Sequence, residues 1–135
     1  MKEVKKRKET APRTGVARSY SDLSVYKQAN GLALDVWKMA EEFPRAMQIQ
    51  IVRQIRESSR SVADNIVEGW AGRTSNAEFK RHMIIAIGKC AETKFWIDLA
   101  SDEGFVKTSE AETIGSEYEK LGFMLHNLWK EWRQF

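Results

Sequence analysis

At 135 residues the chain is long enough to bury one hydrophobic core and too short for two, and its apolar and charged fractions of 42% and 30% are those of an ordinary soluble protein. Its single cysteine, Cys90, excludes an intramolecular disulfide framework and any cysteine-rich zinc site, which fits a reducing cytoplasm. The net charge of +3 is unevenly held: residues 1–19 carry seven Lys and Arg against Glu3 and Glu9, so the remaining 116 residues are net −2.

Residues 1–19, MKEVKKRKETAPRTGVARS, have little apolar content and include Pro12 and Gly15, which predicts a disordered basic arm. No apolar segment follows its lysines, so it does not read as a secretion signal. The longest uncharged runs, such as MIIAIG, fall far short of the roughly 18 residues that a membrane span needs. A cytoplasmic protein with no membrane partner is expected.

Residues 20–135 read as one unit of four helices. The first is expected from about Asp22 to Glu42, with Leu23, Tyr26, Ala29, Ala33, Val36, Trp37 and Ala40 at helical spacing. It stops at Phe43-Pro44, because proline disfavours a helical predecessor yet suits the first turn of a new helix. The second runs from about Pro44 to Trp70, and Gly69 and Gly72 supply the break. The third opens on a capping box, Ser75 with Glu78, and continues to about Ser101; Asp102, Glu103 and Gly104 end it. The fourth has a second such box, Ser109 with Glu112, then Ile114, Tyr118, Leu121, Leu125, Leu128, Trp129 and Trp132. No segment reads as a strand. The fold class is therefore all-α, most simply an up-down antiparallel four-helix bundle.

The second helix has more than a core face. Ile51, Ile55, Ser59, Val62 and Ile66 make the core stripe, widened by Val52, Ala63, Val67 and Trp70. Beside it Gln54, Ser58, Ser61, Asn65 and Glu68 fall in line at steps of 4, 3, 4 and 3, the spacing of a helix-packing seam. Ser58 and Ser61 suit close helix approach or local backbone bonding. Asn65 and Glu68 need partners if buried, and Arg56, Arg73 and Lys80 are the nearest candidates in sequence. The plain reading is a polar network that fixes helix register; the sharper one is a ligand site. On the third helix Phe79, Met83, Ala86, Cys90 and Ile97 form the core stripe, but Ile84 and Phe95 lie on a second flank and Ile85 and Trp96 on a third. Such breadth suits a helix buried between subunits, so self-association is expected.

Catalytic chemistry finds no footing. His82 and His126 lie on different helices, without a second histidine at metal spacing, and there is no HExxH, CxxC or paired Glu-x-x-His. Cys90, on a core stripe, reads as a small buried residue. GWAGR lacks the preceding strand and the lysine of a phosphate-binding loop. No cofactor, metal or small-molecule substrate is expected, and no enzymatic activity. Charge is more informative. Residues 45–94 carry nine basic and five acidic side chains, whereas 95–119 carry one and seven. One region would attract phosphates and the other repel them, unless both are merely solvated helix faces. KKRK in the arm suits salt-sensitive phosphate contacts or a solubilising tail. Of five tryptophans, Trp37 and Trp129 fit core stripes, while Trp70, Trp96 and Trp132 suit an interface or base stacking.

The opening DL-x-V-Y-x-x-A (Asp22, Leu23, Val25, Tyr26, Ala29), Phe43-Pro44, Gln54 with Arg56, Asn65-Ile66-x-Glu68-Gly69, Gly72-Arg73, Ser75, Glu78-Phe79, and Ala86 and Gly88 with Glu92 together resemble a bacterial family. It is the four-helix-bundle family named for proteins encoded in 23S rRNA intervening sequences. The likeness covers about residues 20–104, and the fourth helix adds only a generic pattern. It implies a ring-like homopentamer, and it brings in the related accessory variability proteins of diversity-generating retroelements, pentameric bundles that bind a reverse transcriptase and its template RNA. The chain departs from the family pattern in its long basic arm and in Lys89-Cys90. The resemblance and the charge pattern together predict a non-catalytic nucleic-acid-binding accessory protein with RNA, and secondarily DNA, and a reverse transcriptase as partners. Phosphate contacts are assigned to Lys5, Lys6, Arg7, Lys8, Arg13 and Arg18 of the arm and to Arg53, Arg56, Arg60, Arg73, Lys80 and Arg81 of the bundle. Gln54, Ser58, Ser61, Asn65, Glu68, Gly69, Ile85 and Trp96 are assigned to the packing and oligomer seam. The alternatives are an intervening-sequence-type protein of unassigned role, or an oligomeric scaffold that binds proteins through its acidic run and tryptophans and ignores nucleic acid.

Overall fold

The computed structural model describes residues 17–133, and among them there are four α-helices and no strand. The helices are α1 (Ser24–Glu41), α2 (Arg53–Ala71), α3 (Asn76–Asp102) and α4 (Thr108–Glu131). Of the expected arm, residues 1–16 lie outside the described residues, whereas 17–19 join the fold. Ser19 Oγ accepts the Ser21 N–H at 3.2 Å, and the Asp22 carboxylate accepts the Arg18 and Ser19 N–H groups at 2.8 and 3.3 Å. This capping box, absent from the sequence reading, closes a 3₁₀ turn over Tyr20–Asp22. Leu23 is then extended, so α1 begins at Ser24 rather than Asp22.

Two further boundaries differ from expectation. Pro44 is extended, at φ −55° and ψ 145°, and so caps the second helical run, which begins at Arg45 close to where it is expected. A 3₁₀ turn over Arg45–Met47 and a π turn over Gln48–Val52 follow, and α2 begins only at Arg53. Ile51 and Val52, at the end of the π turn, are both buried. At the fourth helix, Lys107 is the extended cap and Ser109 lies already inside the first turn, where its carbonyl accepts the Thr113 hydroxyl at 3.0 Å. The expected Ser109–Glu112 box therefore does not form. Ser75 does cap α3, accepting the Glu78 N–H at 3.2 Å, while the Glu78 carboxylate holds Arg81 at 3.1 Å. Gly104, at φ 87°, closes α3: its N–H reaches Ser101 O and that of Phe105 reaches Ala100 O at 2.9 Å, a Schellman turn.

Each helix packs on its neighbour in sequence, and α4 returns to α1. Along α2 and α3 residue numbers rise on one helix as they fall on the other: Ser58 meets Thr93 and Asn65 meets His82. The core gathers Leu32, Val36, Ile55, Val62, Ile66, Phe79, Met83, Ile97, Leu121 and Leu125. Trp37, expected on the core stripe, is 41% exposed, because Val25, Leu32, Val36 and Met39 turn α1 inward on a neighbouring sector. Trp129 is only half-buried, and Trp70 and Trp132 are core residues instead. Phe79 and Trp132 stack with centroids 3.8 Å apart and planes at 14°.

Tyr118 is 1% exposed, and its hydroxyl finds no hydrogen-bond partner among the described residues. Burial pushes the phenol well above its usual range, so it stays protonated and unpaired. Tyr118→Phe is therefore expected to stabilise the fold by about 1 kcal/mol. A rise in the urea midpoint would bear this out, and a fall would show that the hydroxyl has a partner in solution.

Candidate nucleic-acid interface

The basic residues assigned to the bundle form two groups. Arg53 and Arg60 are exposed on one side of α2, with Arg56 beside them. Arg73, Lys80 and Arg81 surround the turn between α2 and α3. From Arg56 to Arg73 the helix rises about 25 Å, so the two groups do not converge on one point.

Three of the six lie against tryptophans. The Arg56 guanidinium sits 4.0 Å over the Trp37 ring and donates from Nη2 to the Trp37 carbonyl at 3.2 Å. Arg73 repeats the arrangement, 4.0 Å over Trp70 with Nη1 donating to the Trp70 carbonyl at 2.9 Å. Lys80 Nζ lies 5.4 Å over Trp129. The ring faces attract the cations without neutralising them. Arg53 pairs with Glu57 at 3.2 Å and Arg81 with Glu78 at 3.1 Å, both exposed pairs of small worth. The Arg81 hydrogen bond and charge hold the Glu78 carboxyl below its ordinary value. Lys5, Lys6, Arg7, Lys8 and Arg13 lie outside the described residues; Arg18 is exposed beside the Ser19 cap.

The polar seam of α2 faces α3. Ser58 is buried and receives a hydrogen bond from the Thr93 hydroxyl at 2.9 Å. Gly69 is buried where a Cβ would lie 2.8 Å from Met83 Cε and 3.1 Å from His82 Cβ. Gln54, Ser61, Ile85 and Trp96 are half-buried, and Glu68 is exposed. Asn65 is not held by Arg56, Arg73 or Lys80, the partners expected from sequence, because those cations go to tryptophan faces. Its Nδ2 donates to the Ser61 carbonyl at 2.9 Å and lies 3.2 Å from Ser61 Oγ, leaving Oδ1 to accept from His82 Nδ1 at 2.9 Å. That assignment places the imidazole proton on Nδ1 and leaves Nε2 to accept from Arg81 Nη2 at 3.2 Å. Glu68 and Glu78 flank the ring at 3.7 and 3.6 Å. Sequence reasoning considered His82 only as a metal ligand and missed it here. Its signal was available: Asn65 and His82 are nearly equidistant from the Gly72-Arg73 turn.

Cys90 is buried, and burial pushes its thiol up to about 12, so it is protonated at neutral pH. On the acidic side Asp98 and Glu119 both reach Lys94 Nζ, at 3.0 and 3.7 Å. Among the described residues no helix is long and apolar enough to cross a membrane.

Four helices packed in sequence order define an all-α four-helix-bundle protein, with one arginine laid on a tryptophan from α2 and another from the turn that follows it. The model of the 23S rRNA-intervening sequence protein family matches residues 21–127, and the chain belongs to that family. A similar solved structure is the crystal structure of a protein with unknown function from the S23 ribosomal protein family of Bacteroides thetaiotaomicron VPI-5482. The two are 20% identical with a TM-score of 0.72, over 78% of this chain and 95% of that one, a likeness that shows the fold. No curated protein matches the chain.

Proposed function

We propose that this protein is a non-catalytic, RNA-binding accessory protein, an up-down antiparallel bundle that assembles as a homopentamer and serves a reverse transcriptase of a diversity-generating retroelement. The observation that carries nucleic-acid binding is the separation of charge: cations stacked on tryptophans along α2 and its turn into α3, and surplus carboxylates toward the end of α3 and along α4. Stacked guanidinium groups suit phosphate and base contacts alike, and the basic arm adds five net positive charges per chain. Family membership supports the fold part of this reading, and the resemblance to the retroelement accessory proteins supports the partner.

RNA affinity of the full chain is expected to fall steeply with salt, and removal of residues 1–16, which spares the Ser19 cap, should weaken binding at least tenfold and flatten the salt dependence. Fluorescence anisotropy with a single-stranded RNA checks this. An affinity independent of salt, or unchanged by the deletion together with neutralisation of Arg53, Arg56, Arg60, Arg73, Lys80 and Arg81, would sink the mechanism. The second reading, a scaffold for protein partners, is favoured by one observation: Phe95 and Phe123 stand 56% and 71% exposed. Partners that survive nuclease treatment would favour it.

A further inference from the structure

Trp70, Phe79 and Trp132 pack together where α2 ends, α3 begins and α4 finishes. The start of α1 lies at this end too. Trp37 sits beside Arg56, only three residues into α2, and α1 runs back from there by about 20 Å to Ser24. The Tyr20–Asp22 turn that precedes Ser24 still packs on α2, which at that distance is possible only toward the far end of α2. Arg18, Arg73, Lys80, Lys130 and Arg133 therefore share one end of the bundle, and among the described residues none of them is in an ion pair. Of the carboxylates there, Asp22 accepts two backbone N–H groups, Glu78 holds Arg81 and Glu68 lies against His82, while Glu131 is exposed.

The opposite end has the opposite sign. Phe43 and Phe105 meet there with centroids 6.0 Å apart, which joins the α1–α2 connection to the α3–α4 turn. Glu41, Glu42, Asp102, Glu103, Glu110 and Glu112 are exposed around them, against Lys38, Arg45 and Lys107. The 27 residues of α3 hold the two ends about 40 Å apart. Salt screens charges beyond about 8 Å at physiological ionic strength, so neither end cancels the other. Residues 1–16 bring Lys2, Lys5, Lys6, Arg7, Lys8 and Arg13 against Glu3 and Glu9, and they continue into Arg18 at the basic end.

We infer that RNA docks end-on: Arg73, Lys80, Lys130 and Arg133, with the arm attached beside them, form one phosphate-binding surface at the α2–α3 end. Arg53 and Arg60 on the flank of α2 lie outside it, Arg53 being already paired with Glu57 at 3.2 Å. The acidic end is repelled by the strand and turns the bundle so that the α1–α2 connection and the α3–α4 turn point away from it. The inference rests on the proposed RNA binding and adds the surface that performs it.

The test uses the full chain and three double variants, each of which lowers the net charge by the same amount at a different place. Lys130→Glu with Arg133→Glu changes the basic end, Arg53→Glu with Arg60→Glu the flank, and Arg45→Glu with Lys107→Glu the acidic end. All six side chains are exposed, and far-UV circular dichroism should show unchanged helix content. Binding to a single-stranded RNA is followed by fluorescence anisotropy between about 50 and 200 mM salt. The basic-end variant should bind at least about tenfold more weakly and with a shallower salt slope, by about 1, while the other two stay within about threefold of the parent. Equal losses in all three, or a larger loss from the flank or the acidic end, would overturn the end-on surface while leaving RNA binding standing. An unchanged affinity in the basic-end variant would do the same. A parent chain that binds no RNA would overturn both readings.

Discussion

Phe79→Ala is expected to cost about 3–5 kcal/mol of folding stability, enough to lower the thermal midpoint by more than about 10 °C. Phe79 is fully buried on α3 and stacked on Trp132, whose indole also meets Trp70 edge-on with centroids 6.5 Å apart. Truncation removes a large apolar surface from the end of the bundle where α2, α3 and the residue that ends α4 converge. The surrounding indoles are rigid and cannot collapse into the space, so the cavity persists. Natural domains are held by only about 5–15 kcal/mol, and this one change consumes a large part of that. Thermal or urea unfolding followed by circular dichroism measures it; a loss below about 1 kcal/mol would mean that Trp132 does not pack there in solution.

The second large effect is expected at Gly69, where Gly→Val should destabilise by about 3 kcal/mol. A Cβ there would approach Met83 Cε to 2.8 Å, His82 Cβ to 3.1 Å and the Phe79 carbonyl to 3.5 Å. The methionine end is flexible and can swing aside. His82 cannot, because its ring is tied to Asn65 at 2.9 Å and its Cβ rides on α3. The two helices must therefore part, and the Asn65–His82 hydrogen bond lengthens with them. Gly88 is the control, since a Cβ there meets nothing within 4 Å; Gly88→Ala should gain up to about 1 kcal/mol from helix propensity. Equal urea midpoints for Gly69→Val and the parent would show that α2 and α3 are not in close contact at this point. Because a side chain added at Gly69 would lie against the Phe79 carbonyl, the two large effects should not add when combined.

Helix number, approximate extents and most core positions were legible because they follow from period and punctuation, which are local. Ile55, Val62 and Ile66, or Tyr118, Leu121 and Leu125, declare themselves by spacing alone, and all are buried. Trp37 was misplaced because two inward sectors of α1 compete: an aromatic at the edge of one stripe loses when Leu32 and Met39 fill the other. The π turn left no trace in a pattern where Ile51 and Ile55 also suit a regular helix. The stacking of Arg56 on Trp37 and the pairing of Asn65 with His82 depend on how one helix slides along another, a tertiary register that no single wheel contains. The second of these was nonetheless open to a simple measurement of distance from the turn.

The two guanidinium groups laid on tryptophans bear on recognition in another way. Free arginine side chains hold about 2 kcal/mol of rotamer entropy, which binding must overcome. Arg56 and Arg73 have already given up much of that freedom, each pinned by a ring face and by the carbonyl of the same tryptophan. Each carbonyl engages only one of the five donors of the guanidinium fork. A phosphate arriving at either place would thus meet one preset cation rather than a wandering chain, and a bound strand would lose less affinity to ordering each contact.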